Sequence, residues 1–225
     1  MANPTPFRAA NRAQLSMLAP LEKRALLWMA ERMPRAVHSD HLTALGFLSL
    51  VAAGVSYWIA SFNSVGLALV TVFLVLNWLG DSLDGTLARV RNCQRPRYGF
   101  YVDHILDSIG AFFLLAGLAL SGFMSERIAV GLMIAYFLLN IEVYLATYTI
   151  GTFHLSFWKF SPTELRVLLA IGNVALFYKP VVVIAGQSFL LFDVGGLCGI
   201  VGMTAMLIWA TVKHTMHLYQ AEPLG

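Results

Sequence analysis

Long apolar stretches separated by short polar segments run along most of the chain. Six of these stretches are close to the roughly 20 residues that a helix needs to cross the hydrocarbon core of a bilayer. They are 42–62, 66–90, 100–122, 128–150, 163–186 and 194–217. A membrane β-barrel would instead show alternating segments of about 10 residues. The pattern therefore predicts an all-α integral membrane protein with six transmembrane helices in one domain, residues 42–217.

The segment before the first span has a different pattern. Residues 18–33 (LAPLEKRALLWMAERM) place apolar side chains on one helical face and most charged ones elsewhere. The apolar stripe consists of Leu18, Leu21, Ala25, Trp28 and Met29. This pattern predicts an amphipathic helix at the headgroup level, within a cytoplasmic N-terminal segment of residues 1–41. The alternative is a plain cytoplasmic extension. Residues 218–225 are expected to form a cytoplasmic tail.

Composition agrees with a membrane protein. Of the 225 residues, 58% are hydrophobic and 12% are charged, whereas soluble domains have about 45–50% apolar and about 25% charged residues. The two cysteines, Cys93 and Cys198, lie in a polar loop and in an apolar run, so they form neither a disulfide framework nor a metal-ligand motif. The first 40 residues contain no apolar region of the signal-peptide type, so insertion is expected to depend on the spans.

Lysine and arginine are distributed unequally between the two sides of the predicted bundle. Thirteen of the 15 lie before span 1, between spans 2 and 3, between spans 4 and 5, or at the end of span 6. Arg127 and Lys179 lie on the opposite side. Because cytoplasmic loops of membrane proteins are enriched in these residues, both termini and the loop between spans 2 and 3 are predicted to be cytoplasmic.

Four aspartates lie in residues 81–107, DSLDGTLARVRNCQRPRYGFYVDHILD. Residues three or four apart share a helical face, so Asp81 and Asp84 point together from the end of span 2. Asp103 and Asp107 point together from the start of span 3, its antiparallel neighbour. Converging carboxylates repel one another unless cations lie between them, and Mg²⁺ favours carboxylate and phosphate oxygens. Two such ions can hold the attacking and the leaving oxygen in a phosphoryl displacement.

Small residues and an arginine accompany these acids. Gly85 and Ala88 follow the first two aspartates on the same helical face, and Gly99 lies one turn before Asp103. Their small size allows a diphosphate or a flat ligand to approach the backbone. Arg89 supplies a planar donor fork suited to phosphate. Together these residues predict a site for a nucleotide diphosphate.

This arrangement resembles the signature of the CDP-alcohol phosphotransferase family, Asp-x-x-Asp-Gly-x-x-Ala-Arg followed by Gly-x-x-x-Asp-x-x-x-Asp. All eight fixed positions are present, as Asp81, Asp84, Gly85, Ala88, Arg89, Gly99, Asp103 and Asp107. The resemblance implies a six-helix catalytic domain that faces the cytoplasm, and it suggests a homodimer. It also implies transfer of a phosphatidyl or phosphoalkyl group from a CDP-linked donor to an alcohol, with release of CMP, in phospholipid synthesis.

The resemblance further implies roles for individual residues. Two divalent cations, Mg²⁺ or Mn²⁺, would be held by Asp81, Asp84 and Asp103, with Asp107 as a further ligand or as the general base. The nucleotide would contact Asp81, Gly85, Ala88, Arg89, Gly99 and Thr43. Thr43 matches the end of a Pro-Asn-x-x-Thr run that family members often carry, whereas Ser39 and Asp40 stand in place of its Pro-Asn pair.

Two branches of the family fit the donor and the acceptor. The run Asp103-His104-x-x-Asp107 resembles the branch that uses CDP-choline or CDP-ethanolamine with diacylglycerol, and His104 would then contact the acceptor. Alternatively, His104 is an ordinary interfacial histidine. The short chain is similar to the smaller prokaryotic enzymes that use CDP-diacylglycerol and a polar alcohol, and we favour that donor.

A second polar cluster lies between spans 4 and 5. It contains His154, Lys159, Thr163, Glu164 and Arg166. Lys159 and Arg166 either hold the phosphate of an acceptor or anchor the helices at lipid headgroups. Glu142, deep in span 4, is expected to be functional, paired or protonated. Lys179 beside Pro180 either snorkels outward or marks an early end of span 5.

Alternatives from other classes fit parts of the pattern. An ion or proton transporter also carries intramembrane acids, but such folds tend to have repeats and interrupted helices, which the sequence does not show. A metal-dependent phosphatase would use the same carboxylates with water as the nucleophile. A structural scaffold would use aspartates as helix caps, yet Asp81 and Asp84 lie at the wrong end of span 2. The expected partners are a CDP-linked donor, an alcohol acceptor and membrane lipids, and not nucleic acid.

Overall fold

The computed structural model of the chain describes residues 11–13, 19–154 and 162–223. The helices in these ranges are α1 (Ala19–Arg32), α2 (Ser39–Ala60), α3 (Val65–Val90), α4 (Pro96–Leu120), α5 (Glu126–Ile150), α6 (Pro162–Tyr178) and α7 (Leu191–Ala221). Strands β1 (Asn11–Ala13) and β2 (Thr152–His154) pair in parallel, and β3 (Val181–Ile184) and β4 (Gln187–Leu190) form an antiparallel hairpin. The architecture is therefore mainly helical, as predicted.

Five of the described helices, α2 to α5 and α7, are long and apolar enough to cross a membrane. This confirms the prediction of a multi-pass membrane protein. The sixth predicted span is not confirmed, because α6 has 17 residues, fewer than the roughly 20 that a crossing helix needs.

The predicted span 163–186 is wrong at its C-terminal end. Helix α6 ends at Tyr178, because the residue before a proline is disfavoured in the helical region and Pro180 itself has no N–H. The apolar run that follows is strand β3, which pairs with β4 around Ala185 and Gly186. Both turn residues have positive φ, the geometry of a two-residue type I′ hairpin turn.

Two other predictions concern helix ends. Lys179 directly follows the last residue of α6, so of its two alternatives the early end of the helix is confirmed. Helix α7 continues to Ala221, so the first four residues of the predicted tail 218–225 are helical. The cytoplasmic location of the tail stays a prediction.

The predicted N-terminal helix is present as α1, but its buried face differs from the predicted stripe. Leu26 and Ala30 are buried against the end of α3. Of the predicted stripe, Ala25 and Trp28 are exposed, and Leu18 lies outside the described residues. A position of α1 at the lipid headgroups stays a prediction.

Glu22 connects α1 to two other helices. Its Oε1 atom accepts hydrogen bonds from the Trp78 indole N–H at 2.8 Å, the Ser82 hydroxyl at 3.4 Å and the Thr163 hydroxyl at 3.1 Å. Trp78 and Ser82 belong to α3, and Thr163 belongs to the first turn of α6. This carboxylate therefore fixes the start of α6 against the end of α3.

Glycines bring α2 into direct backbone contact with α3 and α4. A Cβ atom at Gly117 of α4 would lie 1.9 Å from the Gly54 carbonyl oxygen of α2, and one at Gly80 of α3 would lie 2.6 Å from the Gly46 backbone nitrogen. Small residues at such crossings let helix backbones approach closely in membranes. Because Gly80 precedes Asp81, its contact with α2 also fixes the position of the first aspartate.

A polar pair joins α5 and α7. Glu142 Oε1 and His214 Nδ1 share a hydrogen bond of 2.6 Å, and both side chains are largely buried. Glu142 therefore has a partner, which is one of the states expected for an ionisable group in a membrane helix. His214 lies 72 residues away in sequence, so no local pattern indicated it.

We expect Gly117→Ala to lower the thermal unfolding midpoint of the protein in detergent. The added methyl group has no room against Gly54, and overpacking of this kind costs about 1–3 kcal/mol. Gly202→Ala in α7 is the matched control, because a Cβ atom there meets none of the described residues within 4 Å and alanine is favoured over glycine in helices by about 1 kcal/mol. A midpoint for Gly117→Ala equal to that of wild type would contradict the close crossing of α2 and α4.

Candidate active site

Aspartates from α3 and α4 converge on one pocket. Carboxylate oxygens of Asp81, Asp103 and Asp107 lie within 4.8 Å of one another, and all three side chains are half-buried. Asp81 lies near the C-terminal end of α3, and the other two lie in the first half of α4, so the antiparallel course of the two helices brings them together. Carboxylate oxygens are the ligands that Mg²⁺ prefers. This donor set therefore fits a divalent cation.

Asp84 lines the same pocket but is not a member of this group of three. Its Oδ2 atom accepts a hydrogen bond of 2.6 Å from the Thr43 hydroxyl, and its carbonyl oxygen accepts one of 2.8 Å from the Ser39 hydroxyl. The start of α2 is therefore attached to the end of α3. Thr43 lies in the pocket, where the family resemblance placed a nucleotide contact. Ser39, which replaces the proline of the family run, supplies one of these hydrogen bonds.

Arg166 reaches the aspartates from α6. Its Nη2 donates to Asp81 Oδ2 at 2.7 Å, and its Nε donates to Asn77 Oδ1 at 2.7 Å. Asn77 donates in turn to the Gly46 carbonyl oxygen at 3.0 Å. The Arg166 side chain is 14% exposed, so the role of an exposed headgroup anchor does not fit its burial. Its contact with an acceptor phosphate stays a prediction.

Asn77 is a site residue that the sequence analysis did not single out. It is 1% exposed and lies four residues before Asp81, on the same helical face. A polar side chain within an apolar span is costly and commonly functional, so the position of Asn77 in span 2 could have indicated a functional residue. Its partner Arg166 lies 89 residues away, which no local pattern shows.

The remaining motif residues lie at the end of α3 and the start of α4. Arg89 is exposed on the last turn of α3, where its Nη2 donates to the Thr86 hydroxyl at 3.0 Å. Among the described groups, a Cβ atom at Gly85 would meet Arg89 Nη1 at 3.6 Å, and one at Gly99 would meet nothing within 4 Å. Packing within the described part of the protein therefore does not require either glycine. Ala88, which is half-buried, lies on α3 one turn after Gly85. This leaves space for a ligand beside the backbone.

His104 packs inside the bundle. Its ring stacks on Phe100 with 4.2 Å between centroids, and the Tyr144 ring meets it edge-on at 5.3 Å. Its Nδ1 atom lies 2.7 Å from the Phe100 carbonyl oxygen and 3.7 Å from Asp103 Oδ2. The ring is therefore held by α4 and α5, and its contact with an acceptor stays a prediction. Lys159, the other predicted acceptor residue, lies outside the described residues.

Comparison with known families agrees with this geometry. Residues 37–216 match the sequence model of the family described as CDP-alcohol phosphatidyltransferase. The matched range contains α2 to α6, most of α7 and every site residue described above. No individual curated protein matched the chain.

We expect Asp103→Asn to weaken the binding of Mn²⁺ by at least about 10-fold, a loss typical even of groups that only support a metal ligand. Binding is measured as the rise of the thermal unfolding midpoint with Mn²⁺ concentration, because a ligand of the folded state stabilises it. Asp193→Asn in α7 is the matched control, since asparagine keeps an oxygen that can accept the 2.6 Å hydrogen bond from the Ser125 N–H. An unchanged Mn²⁺ response in Asp103→Asn would contradict a cation site at these carboxylates.

Proposed function

The chain belongs to the CDP-alcohol phosphatidyltransferase family, and from that premise we propose that it transfers a phosphatidyl group from CDP-diacylglycerol to the hydroxyl of a polar alcohol. Family membership implies a transferase of phosphorus-containing groups that acts in phospholipid synthesis on a CDP-alcohol. The observation that best supports the proposal is the convergence of Asp81, Asp103 and Asp107 beside Arg166. An ion transporter or a structural scaffold gives no reason for that convergence in a chain of this family.

The family uses a divalent metal, and the carboxylates of the pocket fit one. We assign Asp81, Asp84, Asp103 and Asp107 as the residues that would hold two cations, Mg²⁺ or Mn²⁺. When bound, such cations neutralise the diphosphate and stabilise the charge that develops on the departing CMP. Asp84 is included because it lines the same pocket as the group of three.

Asp107 is proposed as the general base. It lies one turn deeper in α4 than Asp103 and lines the pocket. The acceptor hydroxyl gives its proton to the Asp107 carboxylate while its oxygen forms a bond to the phosphorus that carries the lipid. The bond between that phosphorus and the bridging oxygen breaks, and CMP leaves with the electron pair. A positioned base of this kind contributes about 10²- to 10⁴-fold to the rate.

The nucleotide half of the donor is proposed to lie along the end of α3 and the start of α4. Arg89 is exposed there, and its guanidinium offers a planar fork of donors for phosphate oxygens. Gly85, Ala88 and Gly99 leave room beside the backbone, and Thr43 lies next to Asp84 at the pocket. These contacts would place the diphosphate next to the aspartates.

The charge distribution supports a proposed orientation. The aspartate pocket lies at the end of the bundle that carries the arginines between α3 and α4, and basic residues are enriched on the cytoplasmic side of membrane proteins. We therefore propose that the pocket and both termini are cytoplasmic. The homodimer suggested by the family resemblance stays a prediction.

Transfer from CDP-choline or CDP-ethanolamine to diacylglycerol is the second candidate. Its support in the sequence is His104, which follows Asp103 as in that branch of the family. The His104 ring is held between Phe100 and Tyr144, which favours a packing role over contact with an acceptor. We therefore keep CDP-diacylglycerol as the proposed donor.

Purified protein in detergent with Mg²⁺ or Mn²⁺ is expected to release CMP from CDP-diacylglycerol only when an alcohol is present. The acceptors to compare are myo-inositol, glycerol 3-phosphate, serine and ethanolamine, and CDP-choline with diacylglycerol tests the second candidate. Asp107→Asn should lower the rate by about 10²- to 10⁴-fold, whereas the control Asp193→Asn should not. CMP release that needs no alcohol would indicate a hydrolase, and no CMP from any pair would contradict the proposed function.

Arg166→Gln tests whether this arginine binds an acceptor phosphate. A hydrogen bond to a charged group contributes about 1.5–3 kcal/mol, so KM for glycerol 3-phosphate should rise by about 10- to 100-fold while KM for an unphosphorylated alcohol changes little. The control is Lys213→Gln, which removes an exposed cation that lies over the Trp209 ring. An equal loss of turnover with both kinds of acceptor would show that Arg166 serves Asp81 alone.

A further inference from the structure

Helix α5 carries a row of polar side chains inside a membrane-spanning segment. Tyr136, Asn140 and Tyr144 follow one another at intervals of four residues, so they lie on one face of the helix. Polar groups in such a segment are costly unless they are satisfied or functional. The pattern therefore raises the question of what this face contacts.

A contact at the Tyr144 end of the row brings this face of α5 against α4. The Tyr144 ring meets His104 edge-on, and its hydroxyl lies 3.5 Å from the His104 carbonyl oxygen and interacts with the Ser108 side chain. Tyr136 lies within electrostatic range of Asp107. Asn140 lies between these two tyrosines, one helical turn from each.

The depth of Asn140 in the bundle matches that of Asp107. Asn140 lies ten residues before the end of α5, and Asp107 lies eleven residues after the start of α4. At 1.5 Å per residue, the two residues lie about 15 Å and about 17 Å from adjacent ends of antiparallel helices. Asn140 therefore lies level with the proposed base.

The Asn140 side chain has a hydrogen-bond donor that the described residues do not satisfy. Tyr136 interacts with the Asn140 side chain, but Asn140 Nδ2 is buried and has no hydrogen-bond partner in the part of the chain that the structure describes. A buried donor without a partner is destabilising, and native structures keep few of them. A ligand oxygen that reaches this atom would satisfy it.

We propose that Asn140 Nδ2 donates a hydrogen bond to a second hydroxyl of the acceptor alcohol, beside the hydroxyl that Asp107 deprotonates. Tyr136 and Tyr144 lie one helical turn before and one turn after Asn140. The acceptor is then a polyol, with at least two hydroxyls on neighbouring carbons, rather than a monohydroxy amine or a diacylglycerol. This inference depends on the proposed function, and it adds the chemical class of the acceptor and the residue that selects it.

The test compares two acceptors that differ in one hydroxyl, glycerol 3-phosphate and 3-hydroxypropyl phosphate. For wild type, kcat/KM should be at least about 10-fold higher with glycerol 3-phosphate, because a site built to bond a hydroxyl rejects an analogue that lacks it. Asn140→Leu should bring this ratio close to one and leave KM for CDP-diacylglycerol unchanged. If Asn140 serves only for packing, Asn140→Leu would lower kcat/KM for both acceptors equally and leave the ratio unchanged.

Two further variants keep the test decisive. If Asn140→Leu does not fold, as judged by its thermal unfolding midpoint, Tyr136→Phe keeps the ring, removes one neighbouring hydroxyl and should reduce the ratio. Tyr148→Phe is the matched control on the same helix, because Tyr148 is 89% exposed, and it should leave the ratio at the wild-type value.

The outcomes separate this inference from the proposed function. CMP release by wild type with an unchanged ratio in Asn140→Leu, or in Tyr136→Phe where that variant replaces it, overturns the inference alone. Preference of wild type for ethanolamine over both glycerol 3-phosphate and myo-inositol overturns the polyol class. No CMP from any donor and acceptor pair overturns the proposed function and this inference with it.

Discussion

The structure depends on holding several carboxylates close together at one end of a membrane bundle. Like charges at such short distances repel strongly where the surroundings exclude water, and an ionised group within a bilayer is costly without a partner. Each aspartate of α3 has a partner from another helix: Arg166 of α6 donates to Asp81, and Thr43 of α2 donates to Asp84. Helices α2 and α6, which are distant in sequence, therefore meet α3 at this point.

Helix packing and the site are parts of one arrangement. Gly46 and Gly80 bring α2 against α3, and the carbonyl oxygen of Gly46 accepts from Asn77, which in turn accepts from Arg166. On the other side of α3, Glu22 accepts from the Thr163 hydroxyl, one turn before Arg166. Helix α6 is thus attached to α3 in two ways: through the Glu22 carboxylate of α1, and through the Asn77 amide that accepts from Arg166. A change in the crossing of these helices would move the guanidinium away from Asp81.

The sequence predicts what is local and periodic. The spacing of the aspartates placed each pair on one helical face, and the structure brings Asp81, Asp103 and Asp107 together. The hairpin after α6 was missed because an apolar run rich in β-branched residues has the composition of a span, although Pro180 was a readable signal for the helix end. The contact between Arg166 and Asp81 joins residues 85 apart, and helical periodicity says nothing about contacts at that separation.

The position of Arg166 has a consequence for how the proposed cations and the acceptor share the site. A carboxylate offers two oxygens and about four lone-pair directions, so Asp81 can accept from Arg166 through Oδ2 and still hold a cation. The arginine would then share Asp81 with a bound cation rather than compete with it. Positive charge on both sides of Asp81 would favour an acceptor that carries a phosphate, because its negative charge would lie between the guanidinium and the cations. A neutral acceptor gains nothing from that arrangement and would depend on hydroxyl contacts from α5. Under the two proposals, the charge of the acceptor would be recognised by α6 and its hydroxyls by α5.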